Sequence, residues 1–314
     1  MKKLIAMLLA LTMIGCMFAA CGSNGADTTT AGTTAAADTT AAADDTTAAE
    51  DTTAAAAIKT VTDGKLTMAV SPDFAPMEFV DEEGNYVGFD IMLGQYLADE
   101  LGLELVISPM SFDGSQTAVS MGSVDLAISG FSWTEKRAEN YNLSDYYHAG
   151  DNEDEQTLIA LAENADKFNT AEDLAGLKVG AQVASLQESL CQEQLTDSEI
   201  IIVADLNTAL MQLRNGDFDA LAVAKGNGDA IISNNEDIAQ TGFYFEVDEK
   251  YTGNVILMQK GNDALTEAVN ELLAQAEAAG NYETWYEEAK SIAGIEVSFN
   301  DDGSVVEPET TEGE

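Results

Sequence analysis

Short apolar runs alternate with segments of helical periodicity between residues 58 and 297. Residues 66–70 form an apolar run that predicts a buried strand, and apolar residues recur at helical spacing in 90–101, which Gly102 follows. The same alternation predicts further strands at 103–107, 125–128, 157–162, 178–181, 200–203, 219–223 and 254–258, and further helices at 116–121, 186–195, 208–215 and 265–279. Helices between strands predict parallel sheets, with ligand sites at the carboxyl ends of the strands. Because about 240 residues is long for one such sheet, we expect two α/β lobes.

The first twenty residues have the pattern of an export signal. Lys2 and Lys3 precede an apolar run that ends in small residues at Ala20. Residues 18–21 read FAAC, which resembles a bacterial lipobox, where cleavage precedes a cysteine that becomes lipidated; MIGC at 13–16 is a second candidate. We expect a lipoprotein signal peptide at 1–20 and a lipid anchor on Cys21, and hence a location at the outer face of the cell membrane. An uncleaved N-terminal anchor is the alternative.

Two segments of the chain have the composition of unstructured peptide. Residues 22–57 contain almost only Ala, Thr and Asp, which cannot bury enough apolar surface to offset the entropy of ordering. We therefore expect a flexible tether at 21–57, and a loose acidic tail at 298–314.

Charge and rare residues exclude several function classes. The chain has 13 basic and 56 acidic residues, a net charge of −43, which excludes a nucleic-acid binder and argues against docking on anionic lipids through a basic face. With one histidine and two arginines, a histidine-based metal cage or catalytic triad is nearly excluded, and we expect no metal and no cofactor. Once Cys21 is lipidated and Cys16 is removed, Cys191 has no partner for a disulfide, and its spacing predicts a core position.

Two strand-to-helix turns have the chemistry of an anion site. Ser132 with Glu135, and Ser185 with Glu188, have the spacing of capping boxes, and Arg137 follows the first pair closely. A helix N-terminus beside a guanidinium group favours a carboxylate, which arginine can bind through two hydrogen bonds. These turns therefore predict a site for a carboxylate ligand.

A series of motifs in the middle of the chain resembles one family. In order they are SPDFAPMEF at 71–79, GFD at 88–90, SWTEKR at 132–137, SDYY at 144–147 and DLAG at 173–176. The series resembles the family-3 extracellular solute-binding proteins of polar-amino-acid ABC transporters. The resemblance implies an α/β, two-lobed periplasmic-binding-protein-like fold (type II), with parallel-rich sheets flanked by helices and two hinge crossovers. It implies a first lobe at 58–153 and 253–297 and a second lobe at 154–252.

The same resemblance implies a receptor and no enzyme. The expected protein is a lipid-anchored monomer that binds a small polar solute, foremost an amino acid, and delivers it to an ABC transporter permease. Two alternatives stay open: a ligand-sensing domain for a membrane signalling partner, and a cyclohexadienyl-dehydratase-like enzyme on the same fold.

Ligand-binding residues carry over from the family motif by motif. Phe74 and Phe112 match aromatic wall residues, and Arg137 matches the residue that clamps the α-carboxylate. The other matching residues are Ser129, Gly130 and Ser132 in the first lobe and Ser185, Leu186 and Gln187 in the second.

The chain departs from the family at the ammonium end of the ligand. Ala224 stands where the family usually has the Asp that binds the α-ammonium, and Asp229, farther along, is a candidate replacement. Alternatively, the ligand lacks an α-ammonium group. Ser71 stands where binders of cationic amino acids often have Asp, which disfavours Lys, Arg or His as the ligand.

Overall fold

The computed structural model describes residues 58–147 and 155–295. These residues belong to one compact unit, Ala54–Glu314. The predictions about the signal peptide, Cys21, the tether and the tail lie outside the described residues, as does most of the first hinge crossover, which we expect near residues 151–156.

Strands and helices alternate along the described chain. The strands are β1 (Lys65–Val70), β2 (Phe79–Val80), β3 (Tyr86–Val87), β4 (Glu104–Pro109), β5 (Leu126–Ala127), β6 (Tyr141–Leu143), β7 (Gln156–Leu161), β8 (Lys178–Gln182), β9 (Glu199–Val203), β10 (Ala220–Ala224), β11 (Ile238–Tyr244) and β12 (Leu257–Gln259). The helices are α1 (Phe89–Glu100), α2 (Phe112–Ser120), α3 (Glu135–Asn140), α4 (Ala162–Ala165), α5 (Leu186–Gln194), α6 (Leu206–Asn215), α7 (Lys225–Ser233), α8 (Asp263–Ala278) and α9 (Asn281–Ile292).

The first lobe is built on a mixed sheet with the strand order β4-β1-β5-β12-β6. β1 pairs in parallel with β4 and β5, whereas β12 runs antiparallel to β5 and β6. Its two faces carry separate apolar clusters, one containing Leu66, Met68 and Phe89 and the other containing Phe112 and Phe131. The C-terminal part of the chain thus returns to complete the first sheet.

The second lobe has a sheet with the strand order β11-β7-β10-β8-β9. β8 pairs in parallel with β9 and β10, and β7 runs antiparallel to β10 and β11. Apolar clusters again cover both faces. Full burial of one such aliphatic or aromatic side chain contributes about 1.5–3 kcal/mol, so each lobe has the apolar core that a disulfide-free domain requires.

The two ends of helix α6 are determined by local sequence signals. Asp205 caps it by accepting a hydrogen bond from the Thr208 amide at 2.8 Å, and Gly216, with a φ of 76°, ends it in the left-handed conformation. The face that packs on the second sheet carries Leu206, Ala209, Leu210 and Leu213. The α6 N-terminus is therefore held at a fixed place on the second lobe.

The expectation of parallel sheets is corrected in part. In the two five-stranded sheets, the antiparallel pairs all involve β7 or β12, the strands that follow the two passages of the chain from one lobe to the other. A strand that enters a sheet from the other lobe is not constrained to the direction that a crossover helix imposes.

Several predicted element bounds also differ from the structure. The helix expected at 116–121 begins at Phe112, because Ser111 caps it through the Gly114 amide at 3.3 Å. The strand expected at 254–258 is shorter, because β12 begins only at Leu257. Val255 and Ile256, which precede it, are buried but lie outside the strand. The hairpin of β2 and β3, strands β6 and β11, and helices α4, α7 and α9 were not predicted.

Candidate ligand-binding site

A cavity between the two lobes brings together most of the candidate residues. It offers about 380 Å³ of space, including its opening to solvent. All ten candidate ligand-binding residues lie in the described part of the chain, and nine of them line this cavity: Phe74, Phe112, Ser129, Gly130, Ser132, Arg137, Ser185, Leu186 and Gln187. Asp73 and Gln182, which were not among the ten candidates, line it too. That these side chains bind a ligand stays a prediction.

Arg137 lies in the first turn of α3 and is 5% exposed. Its Nε donates to Gln116 Oε1 at 3.3 Å, its Nη1 to the Ser132 carbonyl at 2.6 Å and its Nη2 to the Ala184 carbonyl at 2.9 Å. Since a guanidinium has five N–H donors, these three bonds orient it and leave donors for a ligand. The bond to Ala184 joins the two lobes.

The charge of Arg137 has neutral surroundings. The rings of Phe112 and Phe131 lie 5.6 and 5.1 Å from its guanidinium carbon, and no salt bridge joins it to an Asp or Glu of the described residues. Burial lowers the pKa of Arg137 to about 10, so it is charged at neutral pH. A buried cation without a carboxylate partner favours an anionic group in the cavity.

The expected cap at Ser132 is wrong. The N-cap of α3 is Thr134, whose hydroxyl accepts from the Arg137 amide at 3.2 Å, and the carbonyl of Ser132 instead accepts from the guanidinium. Thr134 lies directly before the helix, so its hydroxyl reaches the third helical amide, which Ser132 is too distant to do. The six-residue α3 therefore contributes Arg137 to the site and no separate helix N-terminus at Ser132.

The expected cap at Ser185 is confirmed, with one difference. Its hydroxyl accepts from the Glu188 amide at 3.0 Å, but Glu188 Oε2 accepts from the amide of Ala184 at 2.6 Å and not from that of Ser185. Ala184 has a φ of 60°, which is uncommon for a residue other than glycine. Its amide is bound by Glu188 and its carbonyl by Arg137, so contacts from both lobes hold this strained turn.

Gly130 is required where the cavity wall meets Phe74. Its φ is +53°, and an added Cβ would lie 2.8 Å from Cε1 of the Phe74 ring. Phe74 also packs against apolar clusters of both lobes. The Phe74 ring and the Gly130 backbone therefore form one wall of the cavity, at a place where Phe74 contacts both lobes.

Two buried carboxyl groups support this wall from behind. Ser129 Oγ donates to Glu78 Oε1 at 2.5 Å, and the Gly130 amide donates to Asp90 Oδ2 at 2.8 Å. Burial raises the pKa of Glu78 well above its usual value and that of Asp90 to about 7, and the nearby charge of Asp90 raises that of Glu78 further. Glu78 and Asp90 are both fully buried and position Ser129 and Gly130.

Asp229 does not line the cavity, which corrects the expectation that it stands in for Ala224. Lys225 Nζ lies 2.7 Å from Asp229 Oδ2, one turn away on α7. This i,i+4 pair keeps the carboxylate on its own helix. Ala224 itself is fully buried at the end of β10 and has no polar side-chain atom.

Other sequence candidates have structural roles. Cys191 is fully buried in an apolar cluster, and burial raises the pKa of its thiol to about 12, which keeps it unreactive. Arg214 is exposed and binds Asp237 at 2.7 Å. Within 58–147 and 155–295 no group of His, Cys, Asp and Glu could hold a metal ion, and no helix of these ranges is long and apolar enough to span a bilayer.

A family model decides what this two-lobed arrangement is. The model of the bacterial extracellular solute-binding proteins, family 3, matches residues 66–289. The chain belongs to this family. The resemblance drawn from the motifs is thereby confirmed.

The chain is also similar to individual amino-acid-binding proteins. The chain is 33% identical to the crystal structure of the amino acid ABC transporter substrate-binding protein AbpA of Streptococcus pneumoniae bound to L-arginine, with a TM-score of 0.68 over 74% of this chain and 97% of AbpA. It is 26% identical to the L-cystine-binding protein TcyJ of Escherichia coli K12, over 71% of this chain and 83% of TcyJ. The two-lobed α/β fold expected from the sequence is confirmed.

An enzyme is also similar to part of this family 3 chain. The cyclohexadienyl dehydratase of Pseudomonas aeruginosa is 28% identical over 166 residues, which cover 52% of this chain and 60% of the dehydratase. The family itself consists of solute-binding proteins.

Proposed function

We propose that this protein is an extracytoplasmic receptor that binds an amino acid between its lobes and delivers it to an ABC transporter permease. The observation that carries the proposal is Arg137: a buried, charged guanidinium that lines the interlobe cavity and has neutral hydrogen-bond partners. A ligand carboxylate supplies the missing negative charge. The relatives named above, one bound to L-arginine and one named for L-cystine, support an amino acid as the solute.

The overall charge of the chain favours a solute without net negative charge. At −43, the protein repels a small anion at long range, although salt screens this repulsion beyond about 8–10 Å. An amino acid that carries its own positive charge meets less repulsion, while its carboxylate still binds Arg137. Local recognition and long-range electrostatics therefore select the same class of ligand.

A thermal-shift screen of the purified protein tests this function. The compounds are the twenty amino acids, L-cystine, small carboxylic acids and prephenate, with agmatine as the arginine counterpart that lacks a carboxylate. We expect at least one amino acid to raise the melting temperature, because ligand binding stabilises the folded state, and agmatine to leave it unchanged. No shift with any amino acid, or conversion of prephenate to phenylpyruvate, would contradict the proposal.

We also propose that the receptor is anchored through a lipid on Cys21. The support is the sequence FAAC at 18–21 after the apolar segment. We expect Cys21→Ala protein to be unprocessed or released from washed membranes, whereas Cys16→Ala protein, altered at the second candidate, stays anchored. Recovery of soluble wild-type protein with Cys21 unmodified by mass spectrometry would refute the anchor.

A further inference from the structure

One carboxylate lines the candidate cavity that the Arg137 guanidinium also lines. Of the described residues that line it, Asp73 is the acidic one and Arg137 the basic one. Asp73 follows β1 in the first lobe and is partly buried. The cavity therefore has one group for each end of a zwitterion.

The contacts of Asp73 fix its orientation across the lobes. Oδ1 accepts from the Ser71 hydroxyl at 2.8 Å, and Oδ2 accepts from Gln182 Nε2 at 3.0 Å and from the Leu206 amide at 2.8 Å. Gln182 ends β8 and Leu206 begins α6, so both belong to the second lobe. A carboxylate has about four acceptor positions, and Oδ1, with one donor, has room for a ligand N–H.

The donors that hold Asp73 are neutral. No salt bridge joins it to a Lys or Arg of the described residues. Its pKa is raised, first because burial disfavours the charged form and also because Asp205 lies nearby. A positively charged ligand group at this carboxylate would offset the cost of desolvation.

We propose that Asp73 binds the positively charged nitrogen of the ligand, so that the solute carries a cationic nitrogen as well as the carboxylate bound by Arg137. The proposal rests on the proposed receptor function and names the class of solute. It gives the site the cation-binding carboxylate that neither Ala224, which is apolar, nor Asp229, which is paired with Lys225 outside the cavity, supplies. Ser71 therefore no longer disfavours a cationic ligand. Ser71 has no carboxylate of its own, but its hydroxyl orients the carboxylate of Asp73.

The test is calorimetric titration of the wild type and Asp73→Asn, a variant that removes the charge and keeps an acceptor for the Leu206 amide. The probes are L-arginine, L-glutamine and every other amino acid that responds in the thermal-shift screen. Each is paired with its analogue without the α-amino group, such as 5-guanidinopentanoate for L-arginine and glutaramate for L-glutamine. L-Citrulline serves as the neutral side-chain counterpart of L-arginine.

We expect Asp73→Asn to lower the affinity for the amino acid by about tenfold to a hundredfold, because a charge-assisted hydrogen bond is lost. If the α-ammonium binds Asp73, the affinity for the analogue without the amino group falls less than threefold from the wild type to Asp73→Asn. If a side-chain cation binds there, L-arginine loses affinity while L-citrulline does not. The matched control is Asp205→Asn, which removes a neighbouring charge at the α6 N-cap and is expected to change affinity less than threefold.

Three outcomes overturn the inference. The first is an amino-acid affinity of Asp73→Asn within threefold of the wild type. The second is an equal loss for every probe, including those without a cationic nitrogen, which would make Asp73 a contact that only joins the lobes. The third is a wild-type protein that binds carboxylates lacking a cationic nitrogen but no amino acid. A wild-type protein that binds none of the compounds instead refutes the receptor function itself.

Discussion

Arg137→Ala is expected to lower the affinity for the amino-acid ligand by at least about a hundredfold. Removing the guanidinium leaves the ligand carboxylate in a largely desolvated cavity without its cationic partner, a loss on the order of 3–5 kcal/mol. No other basic side chain of the described residues lines this cavity to replace it. Calorimetric titration with an amino acid that binds the wild type measures the effect.

Arg137→Lys separates the charge from the geometry. Lysine keeps the positive charge but lacks the planar fork that binds a carboxylate through two bonds while contacting the carbonyls of Ser132 and Ala184. We expect an affinity between those of the wild type and Arg137→Ala. If the lysine variant binds as weakly as the alanine variant, most of the affinity depends on the planar shape of the guanidinium and on its bond to Ala184 in the other lobe.

The matched control is Arg214→Ala, which also removes one arginine from the same chain. Arg214 is exposed at the end of α6 and binds Asp237, away from the cavity lining. The affinity of Arg214→Ala for the amino-acid ligand should stay within twofold of that of the wild type. An affinity of Arg137→Ala within twofold of the wild type would contradict the assignment of the carboxylate site.

The periodicity of the chain was sufficient for most of the fold. Strands β1, β8 and β9 and helices α1, α6 and α8 lie within about two residues of their predicted bounds, because each has a clear apolar pattern and a glycine follows each of the three helices. Short edge elements such as β2, β3 and β6 have two or three residues, too few for a period to be visible. Strand direction after each passage between the lobes depends on the path of the chain, which no local pattern encodes.

The site was predictable where one motif contains both the side chain and its support. Arg137 lies three residues after Thr134, the cap of its helix, and Ser185 is itself the cap of α5. Asp73 is different, because its partners Gln182 and Leu206 are 109 and 133 residues away along the chain. Contacts at such separation arise from packing of the two lobes. The pairing of Asp229, by contrast, could have been found, since Lys225 precedes it by four residues on a helix.

The buried pair of Glu78 and Asp90 is expected to make the protein less stable as pH rises from about 5 to 7. Both carboxyls are fully buried, burial raises the pKa of each, and the nearby charge of Asp90 raises that of Glu78 further, so we place a proton on Glu78. In the unfolded chain Glu78 loses its proton near its ordinary value of 4.5, whereas in the folded protein its pKa is well above that. Between these two values the folded state binds more protons than the unfolded state, so stability falls with pH.

Glu78→Gln measures this contribution, because glutamine has the shape of the protonated side chain and cannot titrate. One extra proton on the folded state corresponds to about 1.4 kcal/mol per pH unit, so the wild type should lose stability relative to Glu78→Gln with a slope of up to that size as pH rises above 4.5. Urea unfolding of both proteins at each pH gives the difference. The control, Glu82→Gln, changes an exposed glutamate of the same segment and should follow the wild type at every pH. Parallel curves for the wild type and Glu78→Gln would show that Glu78 holds no extra proton in the folded protein.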